Sequence, residues 1–319
     1  MKKIHLHIGA HKSASTTVQR NLRRNANKLS EELNTAFLGG TELTHTAFGV
    51  HFRKLATGKL HIEDIADYES SIAEVKECIS SLVGRISEDT IIISDEAMLG
   101  HSSLDKYKGI YTHIETVVDS LNKIFIGYET DITFIVRRQD DFIESCYLQQ
   151  IKETRSISFD EFLTPINIAK LSWLDICSSL ECHFKCKVNV IPFESIKQLG
   201  AKGFVELFLT IVHSKPIRIS GFELIEKANP SFSELGVDVS RNLLPKLSKD
   251  AARKINSILF MDLSSDKYGK ASFLNQFYRT LMINKCSKDN EVLFKKYILN
   301  SKFIPKDVIE SVSNYWFDK

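Results

Sequence analysis

Short β-branched runs alternate along the chain with amphipathic helical patterns, and this alternation restricts the fold more than any other feature. The strand-like runs are residues 4–8, 90–93, 132–136 and 188–191. The apolar stripes at helical spacing begin at Val18, Ile72, Ile114 and Phe204. Strands that alternate with helices in this way predict an α/β fold, a three-layer sandwich with a central, mainly parallel sheet and helices on both faces.

The chain has no internal repeat and no Pro/Ser-rich linker, so we expect one domain over residues 1–319. Residues 1–235 carry the strand–helix alternation and are predicted to form the α/β core. Residues 236–319 have a mainly helical pattern and are interpreted as a helical extension of that core. Residues 36–62 contain four glycines and little periodicity, which indicates an irregular insertion near the mouth of the sheet.

The charge of the chain is nearly balanced but unevenly spread. Of 319 residues, 42 are basic and 40 acidic, which gives a net charge of +2. This small excess argues against a protein that coats nucleic acid, since such proteins are usually far more basic. The first 30 residues, however, hold seven basic side chains and no acidic one. The excess positive charge therefore belongs to the N-terminal segment.

Neither a transmembrane segment nor a metal site is expected from the sequence. No apolar run reaches the roughly 18 residues that span a bilayer, and histidines interrupt the first apolar run, which is unlike a secretory leader. These features favour a cytoplasmic protein, in which the six cysteines stay reduced. Cys182, His183 and Cys186 lie close together but lack the second ligand pair of a zinc site.

The end of the first predicted strand has the composition of an anion site. Residues 9–17, Gly-Ala-His-Lys-Ser-Ala-Ser-Thr-Thr, join this strand to a helix. Free N–H groups and the positive end of the helix dipole favour an anion there, and the ammonium group of Lys12 adds a full charge. A nucleotide-triphosphate loop has the form Gly-x-x-x-x-Gly-Lys-Ser/Thr, with the lysine just before the hydroxyl residue at the helix start. In this segment Lys12 comes earlier and no second glycine follows. An ordinary N-cap cluster is the alternative interpretation.

A second basic site follows residues 132–136. Arg137 and Arg138 come directly after this predicted strand, where open α/β sheets bind ligands, and arginine makes bidentate contacts with phosphate. Ser145, two turns into the next helix, is placed to add a hydroxyl group. The alternative is that the arginines pair with Asp140 or Asp141 at the surface.

Together these two sites resemble motifs of the PAPS-dependent sulfotransferases, in particular the bacterial carbohydrate-type members. The segment His11-Lys12-Ser13-Ala14-Ser15-Thr16 is similar to the family's 5′-phosphosulfate loop, His-Lys-Thr-Gly-Thr-Thr. Arg137, Ser145 and Tyr147 match its 3′-phosphate motif. Weaker similarities are Ile191-Pro192-Phe193-Glu194 and Asn229-Pro230-Ser231. The similarity extends over roughly residues 4–235 and implies the P-loop-like sulfotransferase fold.

The resemblance implies an enzyme that moves a sulfuryl group from PAPS to a hydroxyl or amine group, with PAP as the leaving product and no metal. The phosphosulfate-binding residues would be His11, Lys12, Ser13, Ala14, Ser15, Thr16 and Thr17. Arg137 and Ser145 would hold the 3′-phosphate, with Arg138 as an auxiliary group. Lys12 would stabilise the leaving oxygen, and Glu96 would be the base. His101 and then Asp95 follow as alternative bases.

The acceptor is expected to be a carbohydrate, a glycan or another small molecule, and the sequence leaves open whether the protein forms a homo-oligomer. Aromatic residues after the second site, such as Tyr147, Phe159 and Trp173, are more often part of the core than a sugar platform. His5 and His7 alternate with apolar residues and are expected to be structural, with His7 and His11 as groups that could support the site.

Several loop residues depart from the family pattern, and two other functions stay open. Ala14 replaces the loop glycine, and Ser15, a chemically equivalent donor, replaces the first threonine. Because a Cβ atom resists left-handed backbone, Ala14 is tolerated only if its φ is negative. The family's C-terminal Arg-Lys-Gly loop has only a weak counterpart in Lys267-Tyr268-Gly269-Lys270. A nucleotide-dependent kinase on the same architecture, and a catalytically inactive nucleotide- or glycan-binding module, are the alternative functions.

Overall fold

The centre of the molecule is a parallel sheet, seen in a computed structural model that describes residues 2–184, 186–226 and 231–317. Its strands are β1 (Lys3–His7), β2 (Thr35–Gly39), β3 (Thr90–Ser94), β4 (Glu129–Val136) and β5 (Lys187–Pro192). Their order is β2-β3-β1-β4-β5, and every neighbouring pair is parallel. The α/β class and the parallel sheet predicted from the sequence are confirmed.

Helices connect the strands and follow the last of them. In chain order they are α1 (Ser15–Arg24), α2 (Ala26–Leu33), α3 (Thr41–Thr44), α4 (Ala47–Ala56), α5 (Ile65–Gly84), α6 (Leu104–Tyr107), α7 (Ile114–Ile124), α8 (Gln139–Lys152), α9 (Phe159–Leu163), α10 (Trp173–Phe184), α11 (Ser195–His213), α12 (Glu234–Leu243), α13 (Lys249–Asp262), α14 (Ser265–Tyr268), α15 (Gln276–Leu293) and α16 (Lys306–Phe317).

The helices form layers on the two faces of the sheet. Right-handed crossovers direct the chain to one face after β1 and to the other face after β2, β3 and β4. Accordingly α1 and α11 pack together on one side, while α5, α7 and α10 pack in sequence on the other. The central strand β1 is therefore covered on both sides, and Ile4, Leu6 and Ile8 are fully buried. This arrangement agrees with the predicted three-layer sandwich.

The interpretation of residues 36–62 as an irregular insertion is wrong. This region contains most of β2, an edge strand of the sheet, followed by α3 and α4. The strand is only five residues long and is followed directly by Gly40, so its alternation was too short to separate from a loop. Phe48 and Phe52 of α4 are fully buried, which makes the segment part of the core.

The single helix expected after the first strand is two helices in the structure. Asn25 lies between α1 and α2 with non-helical backbone, φ −110° and ψ 26°. Its side-chain amide donates to the carbonyl of Glu223 at 3.0 Å and accepts from the Glu223 N–H at 2.8 Å. An Asn side chain can bind backbone groups in place of the helical hydrogen bonds. Here the side chain of Asn25 fixes the segment that follows α11.

The C-terminal helices continue the core. Trp316 on α16 is fully buried and its indole N–H donates to Glu194 at 2.7 Å, just after β5. Arg279 on α15 pairs with Glu144 of α8 at 2.9 Å. The division at residue 235 stays a prediction. In the described parts of the chain, helices that combine the length and the hydropathy needed to cross a bilayer are absent.

Candidate functional site

The loop between β1 and α1 lies at the topological switch point of the sheet. The connection after β1 runs toward β2 and the one after β4 runs toward β5, so a crevice opens between the ends of β1 and β4. The Ala10 N–H donates to the Ile135 carbonyl at 3.0 Å, which extends the pairing of the two strands. The loop is thus fixed to β4 at its base.

The backbone of this loop forms a concave set of N–H donors. Lys12 and Ala14 both have φ 63°, in the left-handed region, with one residue between them. The N–H groups of Thr17 and Val18 donate to the Ala14 carbonyl at 2.9 and 3.1 Å. The N–H groups of residues 12–16 find no acceptor among the described residues. Alternating left-handed residues at a helix N-terminus make an anion-binding nest.

Ala14 does not have the negative φ at which an alanine is tolerated without strain. Its φ of 63° and ψ of 11° are the conformation that a glycine adopts easily and an alanine does not. Left-handed backbone costs a residue with a Cβ atom about 1–2 kcal/mol. The packing of the loop therefore holds Ala14 in a strained conformation, as is common at ligand-binding loops.

Lys12 reaches from the loop toward α8. Its ammonium group donates to the Gln149 side chain at 3.1 Å, and the residue is only partly exposed. Burial lowers the pKa of Lys12, while nearby groups including Glu96 act in the opposite direction. The group is thus a poorly hydrated cation beside the nest, which strengthens its attraction to an anion.

Arg137 brings the second motif to the same crevice. Its guanidinium donates to the Lys12 carbonyl at 2.9 Å and lies 4.7 Å from the centre of the Phe193 ring. Its Nε is buried and has no partner among the described residues. The carbonyl of Arg137 accepts from the Trp173 indole at 2.7 Å, which fixes the backbone at the end of β4. The two segments singled out in the sequence are therefore in direct contact.

Arg138 points away from the crevice, and its proposed auxiliary role is wrong. Its guanidinium pairs with both carboxylate oxygens of Asp140 at 2.7 and 2.8 Å and lies 4.1 Å from the centre of the Tyr315 ring. The side chain is 7% exposed, so this pair is a buried structural contact. Arg138 thus pairs with Asp140, as in the alternative interpretation, but in the interior and not at the surface.

Ser145 is partly exposed on α8 and makes no hydrogen bond with a described residue. Asp141 lies one turn earlier on the same face of the helix, and Lys270 pairs with it at 3.1 Å. Burial would raise the pKa of Asp141, but the charges of Arg137 and Lys270 and the Tyr315 hydroxyl hold it well below its usual value. Lys270, from the weak counterpart of the C-terminal loop, therefore lies close to the second motif.

The hydroxyl groups of the loop divide into two sets. Those of Ser13 and Ser15 donate back to the Ala10 carbonyl, and Ser13 also donates to the Ile135 carbonyl at 3.0 Å. These bonds fix the loop to the ends of the strands at its base. The side chains of Thr16 and Thr17 make no hydrogen bond with a described residue; Thr16 is partly exposed, whereas Thr17 is buried. Asn229 and Pro230, of the weakest motif, lie outside the described residues.

Three candidate bases follow β3 on the other side of β1. Asp95 accepts from the Ala97 N–H at 2.9 Å, and burial raises its pKa to about 6. Glu96 is half-buried and makes no hydrogen bond with a described residue, so its carboxylate is not committed to a structural contact there. Burial lowers the pKa of His11 while the charge of Glu96 opposes that shift, which places Glu96 near the loop.

A small cluster of rings lies beside these carboxylates. The His11 N–H donates to the Tyr111 hydroxyl at 2.9 Å, and the imidazole of His11 is within 3.2 Å of the same oxygen. The ring centroids of His11 and His101 are 6.2 Å apart. His101 Nδ1 accepts from the Ser103 N–H at 3.0 Å, and burial lowers the pKa of His101. Tyr111 follows no recognisable motif, so the sequence did not reveal it.

The two histidines of β1 support the sheet. His5 contacts the Thr133 hydroxyl at 2.7 Å and His7 contacts that of Ser94 at 2.8 Å, and both rings are buried. Gln19 of α1 donates to the same Ser94 oxygen at 3.0 Å. Ser94 therefore joins α1 to the strand end that carries Asp95. Gln19 and Gln149 were missed because a lone glutamine on an amphipathic helix gives no signal.

The chain was compared with protein-family models and with curated proteins, and neither comparison finds a match. Within the described residues, no group of three or more His, Cys, Asp or Glu side chains could hold a metal ion.

Proposed function

We propose that this chain is a PAPS-dependent sulfotransferase with the P-loop-like sulfotransferase fold, acting on a hydroxyl or amine group of a carbohydrate or another small acceptor. One observation carries the proposal. The guanidinium of Arg137 donates to the carbonyl of Lys12 at 2.9 Å, so the loop that resembles the 5′-phosphosulfate motif touches the segment that resembles the 3′-phosphate motif.

The donor set fits a nucleotide with two separate phosphate groups. Residues 12–16 offer backbone N–H groups, and Lys12 offers a partly buried cation at one end of the crevice. Arg137, directly after β4, offers a guanidinium, and Ser145 on α8 offers a hydroxyl. A kinase requires a lysine directly before the helix hydroxyls, and Lys12 instead precedes the helix by three residues.

PAPS would supply the sulfuryl group and leave as PAP. In this mechanism Lys12 stabilises the negative charge that develops on the leaving oxygen, and the loop N–H groups hold the adjacent phosphate. Glu96 takes the proton from the acceptor as its oxygen or nitrogen bonds to sulfur. His101 and Asp95 are the alternative bases, and the raised pKa of Asp95 makes it the stronger competitor.

Ligand-dependent thermal stability tests the cofactor site. Adenosine 3′,5′-bisphosphate is expected to raise the melting temperature without Mg²⁺, and ATP with Mg²⁺ is not. Lys12→Ala and Arg137→Ala should each weaken binding by roughly 10-fold or more, because each removes a charge-assisted contact. Arg24→Ala, which removes a basic residue of the same N-terminal segment at an exposed position, is the matched control.

Transfer of radiolabelled sulfate from PAPS to a panel of sugars and phenols tests the reaction. Glu96→Gln should abolish transfer while it preserves the cofactor-induced shift in melting temperature. Stabilisation by ATP and Mg²⁺ alone would support the kinase. Cofactor binding without transfer to any acceptor would support the inactive binding module.

A further inference from the structure

The C-terminal helices combine exposed hydrophobic side chains with a strong local charge. Of the fourteen large hydrophobic side chains exposed in the described part of the chain, six lie between residues 258 and 281. They are Ile258, Met261, Tyr268, Phe277, Tyr278 and Leu281. Residues 246–288 also hold nine basic and three acidic side chains. Four of the basic groups, Arg253, Lys267, Lys270 and Arg279, lie in ion pairs. The other five are exposed: Lys246, Lys249, Lys254, Lys285 and Lys288. We call this surface, residues 246–288, the basic apolar face.

Helix α15 shows the pattern most clearly. Its buried side includes Met282, Ile283 and Cys286, which pack toward the core. The opposite side begins with Phe277, which is 71% exposed, and continues at helical spacing through Leu281 to the exposed Lys285. This exposed stripe is apolar at one end and basic at the other, and core packing does not account for it.

Ion pairs place the neighbouring elements beside this stripe. Lys270 and Arg279 both approach Asp141, at 3.1 and 3.8 Å, which brings the segment after α14 to the start of α15. Lys267 approaches Asp262 at 3.4 Å, next to Met261 at the end of α13. These ion pairs place α14 and the segment after it beside the end of α13 and the start of α15, so the exposed side chains of the three helices lie on neighbouring elements.

We infer that the basic apolar face docks on an anionic phospholipid surface. Exposed lysines are attracted to acidic headgroups, and aromatic and aliphatic side chains enter the boundary between headgroups and acyl chains. A second copy of the chain fits less well, because a symmetric dimer would bring the same excess of positive charge against itself. Nucleic acid would leave Ile258, Met261 and Leu281 without apolar partners.

The inference is separate from the proposed reaction, since the rings and aliphatic groups that would enter the interface, such as Phe277, Tyr278 and Leu281, are not assigned to the crevice. It predicts peripheral attachment through one side of the molecule. Each lysine near such a surface strengthens binding about fivefold, so binding should fall steeply as salt is added.

Co-sedimentation with lipid vesicles tests the inference on the full chain. The protein is expected to bind mixed phosphatidylcholine–phosphatidylserine vesicles and not pure phosphatidylcholine vesicles. The double substitution Phe277→Ser and Tyr278→Ser should reduce binding at least 10-fold, since both rings leave the interface. Ile65→Ser and Ile126→Ser, which alter equally exposed residues elsewhere, should leave binding unchanged.

Three results would overturn the inference. The first is an absence of binding to the acidic vesicles, and the second is binding that the double substitution does not weaken. The third is a dimer, detected by light scattering, that the double substitution converts to a monomer, because the face would then be covered by a second copy. Far-ultraviolet circular dichroism confirms that each variant is folded, as expected for exposed positions.

Discussion

Ala14 concentrates strain in the loop that we assign to the phosphosulfate group. Its left-handed conformation is maintained although alanine disfavours it, because the loop is held by the Ser13 hydroxyl and by the start of α1. A loop that is already bent toward its ligand loses less conformational entropy on binding. The sequence showed the substitution, but only the structure showed that the backbone keeps the conformation a glycine would adopt.

Replacement of this alanine by glycine should stabilise the protein. Ala14→Gly is expected to raise the free energy of unfolding by about 1 kcal/mol, because it removes the cost of a Cβ atom at positive φ. Ala73→Gly is the matched control, at an exposed position inside α5, where the same change should lower stability by about 1 kcal/mol. Urea denaturation measures both, and a loss of stability at Ala14 would contradict the assigned strain.

The buried histidines of β1 predict sensitivity to acid. Burial lowers the pKa of both His5 and His7 to about 3. The folded state therefore holds both rings neutral, and protonation of either ring favours the unfolded state. This stability is complete above pH 6.5, the unfolded value, and is lost as the pH falls toward 3. Each ring should remove roughly 1.4 kcal/mol per pH unit below that value.

Denaturation at a series of pH values measures this slope. His7→Gln should make the decline below pH 6.5 shallower, because one titrating group is removed. His61→Gln changes an exposed histidine and should leave the slope as it is. An unchanged slope in His7→Gln would show that the ring is not kept neutral by the fold.

At the scale of the elements, α8 joins the candidate site to the C-terminal helices. One side of the helix carries Gln149, which binds Lys12, and Ser145. The other carries Asp140 and Glu144, which are buried against Arg138 and Arg279. The helix is therefore held in place by charges on the side away from the crevice.

Asp140 is the centre of this buried network, and its loss should be costly. Asp140→Ala leaves the guanidinium groups of Arg138 and Arg279 without their shared carboxylate, at a position that is 0% exposed. We expect the free energy of unfolding to fall by about 3 kcal/mol or more. Asp250→Ala removes an exposed carboxylate 3.8 Å from Arg253 and should have little effect in the same denaturation experiment.

At the scale of the whole molecule, one hydrophobic core extends from Ile4 on β1 to Trp316 on α16. The C-terminal part also supplies the partners of buried charges in the α/β part, such as Arg279 for Asp140. Residues 1–235 and 236–319 should therefore unfold together.

Expression of residues 1–235 alone tests this dependence. The fragment should lack cooperative unfolding, since it exposes the groove that Trp316 fills and leaves Glu194 without its indole donor. In the full chain, tryptophan fluorescence and circular dichroism should report the same midpoint. A fragment that folds with its own sharp transition would instead make the C-terminal part a separate domain.

The sequence by itself determined the α/β class, four of the five strands and the two segments that end beside the crevice. These follow from local rules: the period of apolar residues marks strands and helices, and the carboxyl ends of parallel strands lie at one edge. The short strand β2 and the break at Asn25 could not be predicted from the sequence, because five residues or one asparagine carry too little periodic signal.

Only the tertiary structure decided which charged groups face the crevice. Arg137 and Arg138 are adjacent and identical in type, yet one touches the Lys12 loop and the other is buried against Asp140. Gln149 and Tyr111 lie beside the loop although they are far from it in the sequence and belong to no motif. The direction of a side chain depends on the partners that packing brings to it, and those partners come from residues far apart in the sequence.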